Sequence, residues 1–463
     1  MQRNRTRLSL LAAGAAGLLV AGGTGAASAV TEAPVQKASV QDDFNGDGYA
    51  DLAISGTRGT VSGLADAGYA AVTYGGPHGL STASRTIISR ATAGIPGDPE
   101  TGVGFGYALS HGDLDGDGYA DLVISNRGGG EDSVIVWGSA NGLSGGTAVP
   151  HYGSLSQTGD FNGDGRTDLA LFDTIHIGMD DPSGTRAVVW NGPISRAGKP
   201  ASTTATDAAS ATEITTAVSG DVNHDGYADL AIGAYSGEGS DNTYLVYGSA
   251  SGLSAHASDE RPPGANGTAA LGDVNGDGYD DFVAGDTNNN VVVAYGAASG
   301  LSSRTSTINQ NTAGVPGASE GEDGFGESVA VGDVTGDGID DVAVGAPGEA
   351  IGTIEGTGAV TVLKGSKGGL TGTGSQSFSQ DTAGVPGAAE KGDAFGSAVH
   401  LVDINGNGYA DLAASATYED AKNGAVWLLR GRPEGLTTDA ALLFGPKALG
   451  APATAAWFGY VLG

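Results

Sequence analysis

Apolar residues along this chain come in short alternating runs, such as Ser328-Val329-Ala330-Val331 and Asp341-Val342-Ala343-Val344, with small or polar residues between them. A two-residue period is that of a strand, so the pattern predicts many short strands rather than helices. Between the two runs of such a pair stands a nine-residue acidic segment. It first reads Asp43-Phe44-Asn45-Gly46-Asp47-Gly48-Tyr49-Ala50-Asp51, and six further copies open at Asp113, Asp160, Asp221, Asp273, Asp333 and Asp403. Intervals of 47 to 70 residues suit a four-stranded blade with loops of variable length and are too long for a β-helix rung.

A second signal, a strand running into a turn, follows each acidic segment. Val72-Thr73-Tyr74-Gly75-Gly76-Pro77-His78-Gly79-Leu80-Ser81 and Val246-Tyr247-Gly248-Ser249-Ala250-Ser251-Gly252-Leu253-Ser254 are two copies, and the others lie near Trp137, Trp190, Tyr295, Leu363 and Leu429. Two independent counts of seven predict an all-β fold, a seven-bladed β-propeller with an acidic loop in each inner hairpin. Trp137, Trp190 and Trp427 occupy matching places in their repeats, which assigns them to blade packing. The first loop has almost no strand before it, whereas the chain stops at Trp457-Phe458-Gly459-Tyr460-Val461-Leu462-Gly463, a strand without its loop. Residues 454–463 are therefore expected to complete the first blade and close the ring, because an open ring leaves unpaired edges.

The loops carry chemistry. Calcium takes six to eight oxygens, and positions 1, 3, 5 and 9 supply side-chain oxygen while position 7 offers its carbonyl. The candidate ligands are Asp43, Asn45, Asp47, Tyr49 and Asp51; Asp113, Asp115, Asp117, Tyr119 and Asp121; Asp160, Asn162, Asp164, Arg166 and Asp168; and Asp221, Asn223, Asp225, Tyr227 and Asp229. The remaining loops add Asp273, Asn275, Asp277, Tyr279 and Asp281; Asp333, Thr335, Asp337, Ile339 and Asp341; and Asp403, Asn405, Asn407, Tyr409 and Asp411. Position 6 is glycine in every copy, where the chain must turn sharply around an ion. Position 12, a bidentate Glu in an EF-hand, is here Ile54, Ile124, Leu171, Ile232, Ala284, Val344 or Ala414, which excludes that motif.

One such segment alone is an ordinary polar turn, but seven in register would be seven clusters of like charge without a cation. Up to seven Ca2+ ions are therefore expected. Thr335 and Asn407 weaken their sites, and the Asp113 loop, with Asp115, should bind best. A tenfold excess over the dissociation constant adds about 1.4 kcal/mol per site.

Composition narrows the setting. A formal charge of -32 opposes nucleic acid and anionic lipid as partners. The absence of cysteine removes disulfides, so bound cations are expected to hold the fold together instead. Arg3, Arg5 and Arg7 precede an apolar stretch from Leu8 to Val20 and an Ala27-Ser28-Ala29 cleavage pattern, predicting a signal peptide over residues 1–29 and a secreted propeller over residues 30–463. No later segment could span a bilayer.

Gly324-Phe325-Gly326-Glu327-Ser328-Val329, running through Gly332-Asp333 to Val344-Gly345-Ala346-Pro347, resembles an FG-GAP repeat, the family that includes the integrin alpha-chain propeller. The Phe-Gly element recurs at Phe105, Phe395 and Phe458, with Tyr152-Gly153 as a variant, while the blades around Asp221 and Asp273 lack the aromatic. The resemblance implies calcium loops on one face and partner binding on the other. Candidate contact loops there are residues 92–103, 312–324, 382–394, 173–186 and 347–358.

The expected function is an extracellular adhesion or recognition module for protein or glycan, acting as a monomer. The alternative is a calcium-dependent lyase or hydrolase acting on polysaccharide. Two Gly-x-Ser-x-Gly matches, around Ser144 and Ser319, lack the strand-to-helix setting of a nucleophile elbow, and the seven histidines have no ligand spacing, so no catalytic residue is assigned.

Overall fold

The computed structural model describes residues 42–127, 131–174, 184–206, 213–235, 241–254, 258, 262–263 and 268–463. The expected signal peptide lies outside these residues, as do residues 175–183 of one candidate contact loop. Helix is confined among the described residues to the four-residue segments Glu419–Lys422 and Pro446–Leu449, and no helix is long and apolar enough to cross a membrane.

The chain is an all-β, seven-bladed β-propeller: seven antiparallel meanders, each of four strands except the fourth, in which three are described. The second blade is typical, with strands Leu109–Gly112, Asp121–Ile124, Ser133–Trp137 and Ser144–Val149 in order from the inside out. The acidic segment links its first two strands, and the last aspartate opens the second strand opposite the glycine that ends the first, Asp121 against Gly112. The same register recurs as Gly159 with Asp168, Gly220 with Asp229, Gly272 with Asp281 and Gly332 with Asp341.

Second strands such as Leu52–Gly56, Asp121–Ile124 and Asp341–Ala346 are buried at every position. Neighbouring blades cover both faces, so the residues between apolar positions must be small rather than polar. Outer strands such as Thr305–Ile308 alternate exposed positions with half-buried or buried ones, because one face meets solvent. The tryptophans lie in blade packing: Trp427 is fully buried, Trp137 nearly so, and Trp190 packs against the same cluster as Trp137.

The acidic loops also join blade to blade. The position-8 N–H of one loop donates to the position-1 carbonyl of the preceding loop, as in Ala120 to Asp43, Ala228 to Asp160 and Ala410 to Asp333. Position-2 carbonyls accept from the turn after the third strand of the next blade, as in Ser139 to Phe44 and Ser249 to Phe161. The position-7 ring lies over the position-4 glycine of the preceding loop: Tyr119 sits 2.4 Å from where a Cβ on Gly46 would stand, and Tyr409 does the same at Gly336. Where position 4 is His224 instead, its ring meets Tyr279 edge to face.

The first blade draws on both ends of the described chain. Its inner strand is Phe458–Leu462, paired antiparallel with Leu52–Gly56, and Gly463 and Ala53 exchange backbone hydrogen bonds. The Phe458 N–H donates to the Asn423 carbonyl of the seventh blade, as Phe395 donates to Thr357 and Phe105 to Ala67 on theirs. On the loop side Gly76 donates to the Ile404 carbonyl, and Tyr49 lies over Gly406. Asp42 is buried between His111 and His400, on the inner strands of the second and seventh blades. Burial alone would raise its carboxyl, but the His111 and His400 rings outweigh that and hold it well below the usual range.

Candidate functional site

Each loop is built around its first aspartate. One carboxylate oxygen of that residue accepts the position-6 glycine N–H in all seven copies, from Gly278 to Asp273 at 2.7 Å to Gly118 to Asp113 at 2.9 Å. The position-7 N–H donates to the position-5 side chain in every copy, as Tyr119 does to Asp117 at 3.1 Å. Glycine at position 6 serves because φ there is positive, 90° at Gly118. These bonds curl the backbone so that the side chains of positions 1, 3 and 5 converge. In the second blade the Asp113, Asp115 and Asp117 carboxylates lie within 4.8 Å of one another.

Exposure grades along the loop. Position 5 is exposed throughout, position 1 is mostly half-buried, and position 9 is buried in every blade. The buried carboxylate is held by amides on both sides in every blade but the sixth. One oxygen accepts a glycine N–H from the turn after the third strand, at 2.8 to 3.0 Å: Gly75, Gly138, Gly192, Gly248, Gly296, Gly365 and Gly431 pair with Asp51, Asp121, Asp168, Asp229, Asp281, Asp341 and Asp411. The other accepts the position-2 N–H in five blades. In the seventh it meets Asn405 Nδ2, and in the sixth Asp341 Oδ2 is buried with no hydrogen-bond partner among the described residues.

Burial, opposed by the hydrogen bonds each carboxylate accepts and reinforced by the neighbouring loop carboxylates, pushes these groups far up. Asp51 and Asp121 rise to about 8, Asp229 and Asp281 to about 7, and Asp168, Asp341 and Asp411 to about 6. A cation beside them would favour the charged form. The donors fit a hard cation: all are oxygens, a carboxylate oxygen that accepts one N–H keeps a lone pair, and Asp341 Oδ2 is left over.

A partner outside the repeat reaches one loop. Arg196 donates from Nε to Asp115 at 2.6 Å and from a terminal nitrogen to Asp117 at 2.7 Å, placing a guanidinium on the loop that its own residues rank as the strongest. No local pattern announces this, because Arg196 lies 79 residues from Asp117, in the third blade.

The opposite face carries a different surface. Arg58 lies 3.9 Å over the Trp457 ring, Tyr460 is 6.0 Å from Trp457 and 5.5 Å from Tyr107, and Arg127 lines the same hollow. Ser144 opens an outer strand and Ser319 is half-buried in an irregular segment, so neither stands on a strand-to-helix elbow.

The FG-GAP family model matches residues 105–143, 214–247, 325–363 and 395–429. The chain carries four FG-GAP repeats. One of them covers the blade around Asp221, which keeps the repeat without the aromatic. Integrin alpha-PS5 of Drosophila melanogaster is 38% identical over 113 residues, which is 24% of this chain and 10% of that protein. Integrin alpha-4 of Xenopus laevis is 33% identical over 114 residues, again 24% of this chain and 10% of that protein. The chain thus spans about a tenth of the length of the curated relatives it matches. The Dos1 propeller, at TM-score 0.35 and 14% identity over 60% of this chain and 59% of that one, is too distant to bear on the fold.

Proposed function

We propose that this FG-GAP propeller is a secreted, calcium-bound recognition module, with cations in the acidic loops of one face and a protein or glycan partner on the other. The observation that carries the cation reading is the convergence of Asp113, Asp115 and Asp117 above a buried fourth carboxylate, Asp121, whose charged form burial disfavours. The same frame recurs in all seven loops, so up to seven calcium ions are assigned, through the side chains of positions 1, 3, 5 and 9 and the carbonyl of position 7. Because the loops also supply the hydrogen bonds between blades, an ion in each would tie the ring together as disulfides do in other exported proteins. The pairing of Phe458–Leu462 with the first blade supports ring closure by the C-terminal strand.

The partner reading rests on the cluster of Arg58, Trp457, Tyr460, Tyr107 and Arg127. Aromatic and arginine side chains dominate binding hot spots, and two arginines together stand out on a chain of formal charge -32. Residues 1–29 direct export, and the mature chain acts as a monomer.

Equilibrium dialysis of the mature chain at millimolar calcium tests the first half. Uptake of several ions, with a melting temperature lowered by more than about 10 °C on chelation, is expected. A chain that takes up none and melts unchanged overturns it. For the second half, binding to protein or glycan arrays should be lost in Trp457→Ala while calcium uptake stays. Retained binding moves the partner elsewhere, and turnover of a polysaccharide in the same screen favours the enzyme reading.

A further inference from the structure

The strongest unexplained chemistry lies on the face opposite the acidic loops. In the sixth blade Glu320, Asp323 and Glu349 bring carboxylate oxygens within 4.8 Å of one another, with Asp323 buried. Glu320 and Asp323 lie in the segment entering the blade, and Glu349 follows its second strand, so all three stand at the end remote from Asp333. Against them sits Gln310, only 4% exposed. Its Nε2 donates to Glu349, and its Oε1 is buried without a hydrogen-bond partner among the described residues.

The seventh blade repeats the buried glutamine and the buried aspartate of this arrangement. Gln380, 1% exposed, donates from Nε2 to Glu419 at 2.7 Å, and its Oε1 likewise has no hydrogen-bond partner among the described residues. The buried Asp393 accepts the Glu390 N–H, as Asp323 accepts that of Glu320. Two buried carboxamide oxygens left over in equivalent places, one beside three clustered carboxylates and one beside the Asp393 and Glu419 pair, are costly unless something accepts their lone pairs.

The second blade shows what that something resembles. The segment Ser89-Arg90-Ala91-Thr92-Ala93-Gly94-Ile95-Pro96-Gly97 aligns with Asn309 to Gly317 and Ser379 to Gly387, which places Arg90 where Gln310 and Gln380 stand. The guanidinium donates to the Pro96 carbonyl at 2.8 Å and to Asn126, and lies 5.1 Å over the Phe105 ring. There Val103 replaces Asp323 and Gly129, outside the described residues, replaces Glu349, while Glu100, Glu131 and Asp132 supply the negative charge around the guanidinium.

We propose that the Gln310, Glu320, Asp323, Glu349 cluster and its smaller counterpart at Gln380, Asp393, Glu419 are two further calcium sites, for which the Arg90 guanidinium substitutes in the second blade. The donors are carboxylate and carboxamide oxygens with no nitrogen or sulfur ligand, the set of a hard divalent ion. The ions would pin the segment that enters each blade to the hairpin of that blade, on the face where partners are proposed to bind. Neither site depends on whether the acidic loops are filled.

The test is to supply the cation covalently. Gln310→Arg, Gln380→Arg and the double variant of the mature chain are compared with the parent by equilibrium dialysis against calcium and by melting in chelator. Each single variant should bind one ion fewer and the double variant two fewer, with melting in chelator no lower than that of the parent. Should an arginine variant fold poorly, Asp323→Asn with Glu349→Gln, which keeps shape and removes charge, should also bind one ion fewer. An unchanged ion count in the folded variants overturns the proposal. A loop variant, Asp113→Asn with Asp117→Asn, run alongside reports on the acidic loops separately.

Discussion

The Asp121 carboxylate accepts the N–H of Gly138 at 2.8 Å, and the same glycine runs so close to the loop that a Cβ on it would stand 2.2 Å from the Ala120 carbonyl oxygen. All seven blades repeat this pair, from Asp51 with Gly75 to Asp411 with Gly431. It locks the acidic loop to the turn after the third strand. Gly138→Ala must therefore displace backbone on both sides and is expected to cost about 1–3 kcal/mol or more, read as a lower denaturant midpoint with unchanged slope.

Asp121→Asn separates the two roles of that carboxylate. The amide keeps the shape and removes a charge that burial disfavours, but it sets a donor against the Leu114 or Gly138 N–H, so in chelator the variant should melt modestly below the parent. In calcium it also loses a ligand and should fall further below the parent. An equal deficit in chelator and in calcium would remove Asp121 from the ligand set.

The raised carboxyls set a pH dependence. Asp51, Asp121, Asp229 and Asp281 titrate at about 7 to 8 when folded against about 3.8 as the ordinary value, so between those limits the folded chain holds more protons than the unfolded one. Stability then falls as pH rises. In chelator the melting temperature should drop from pH 5 to pH 8, and millimolar calcium should flatten or reverse the trend because it replaces the protons.

Arg196 competes with a cation for Asp115 and Asp117. Arg196→Ala should tighten calcium binding at that loop by roughly three- to tenfold, the scale of two half-exposed ion pairs, measured by titration calorimetry.

Deleting residues 454–463 removes Phe458, fully buried against the seventh blade, and unpairs Leu52–Gly56 on one edge. The truncated chain should unfold at a much lower temperature. Phe458→Ala alone should cost about 3–5 kcal/mol by denaturant titration.

The strand count, the blade count and the loop positions were legible because each rests on local pattern. A two-residue period, a glycine at a positive φ and oxygens at fixed spacing are dictated by residues within ten positions of one another, and repetition multiplied the signal. The pairing of the C-terminal strand was legible for a related reason: a strand without a loop at one end of the chain matched a loop without a strand at the other.

What local pattern could not reach is contact across blades. Position 9 looked like a ligand equal to the others, and burial by neighbouring strands made it the fully covered carboxylate that binds Gly138 and its counterparts. No local signal gives the glycine at position 4 a role, whereas the Tyr119 ring from the next blade needs the space above Gly46. Arg196, and the meeting of Gln310 with Glu349 across 39 residues, depend on where whole blades come to rest. Spacing along the chain fixes which oxygens can share a loop. Only packing fixes which of them lose water, and the loss of water is what raises a carboxyl and leaves an amide oxygen without a partner.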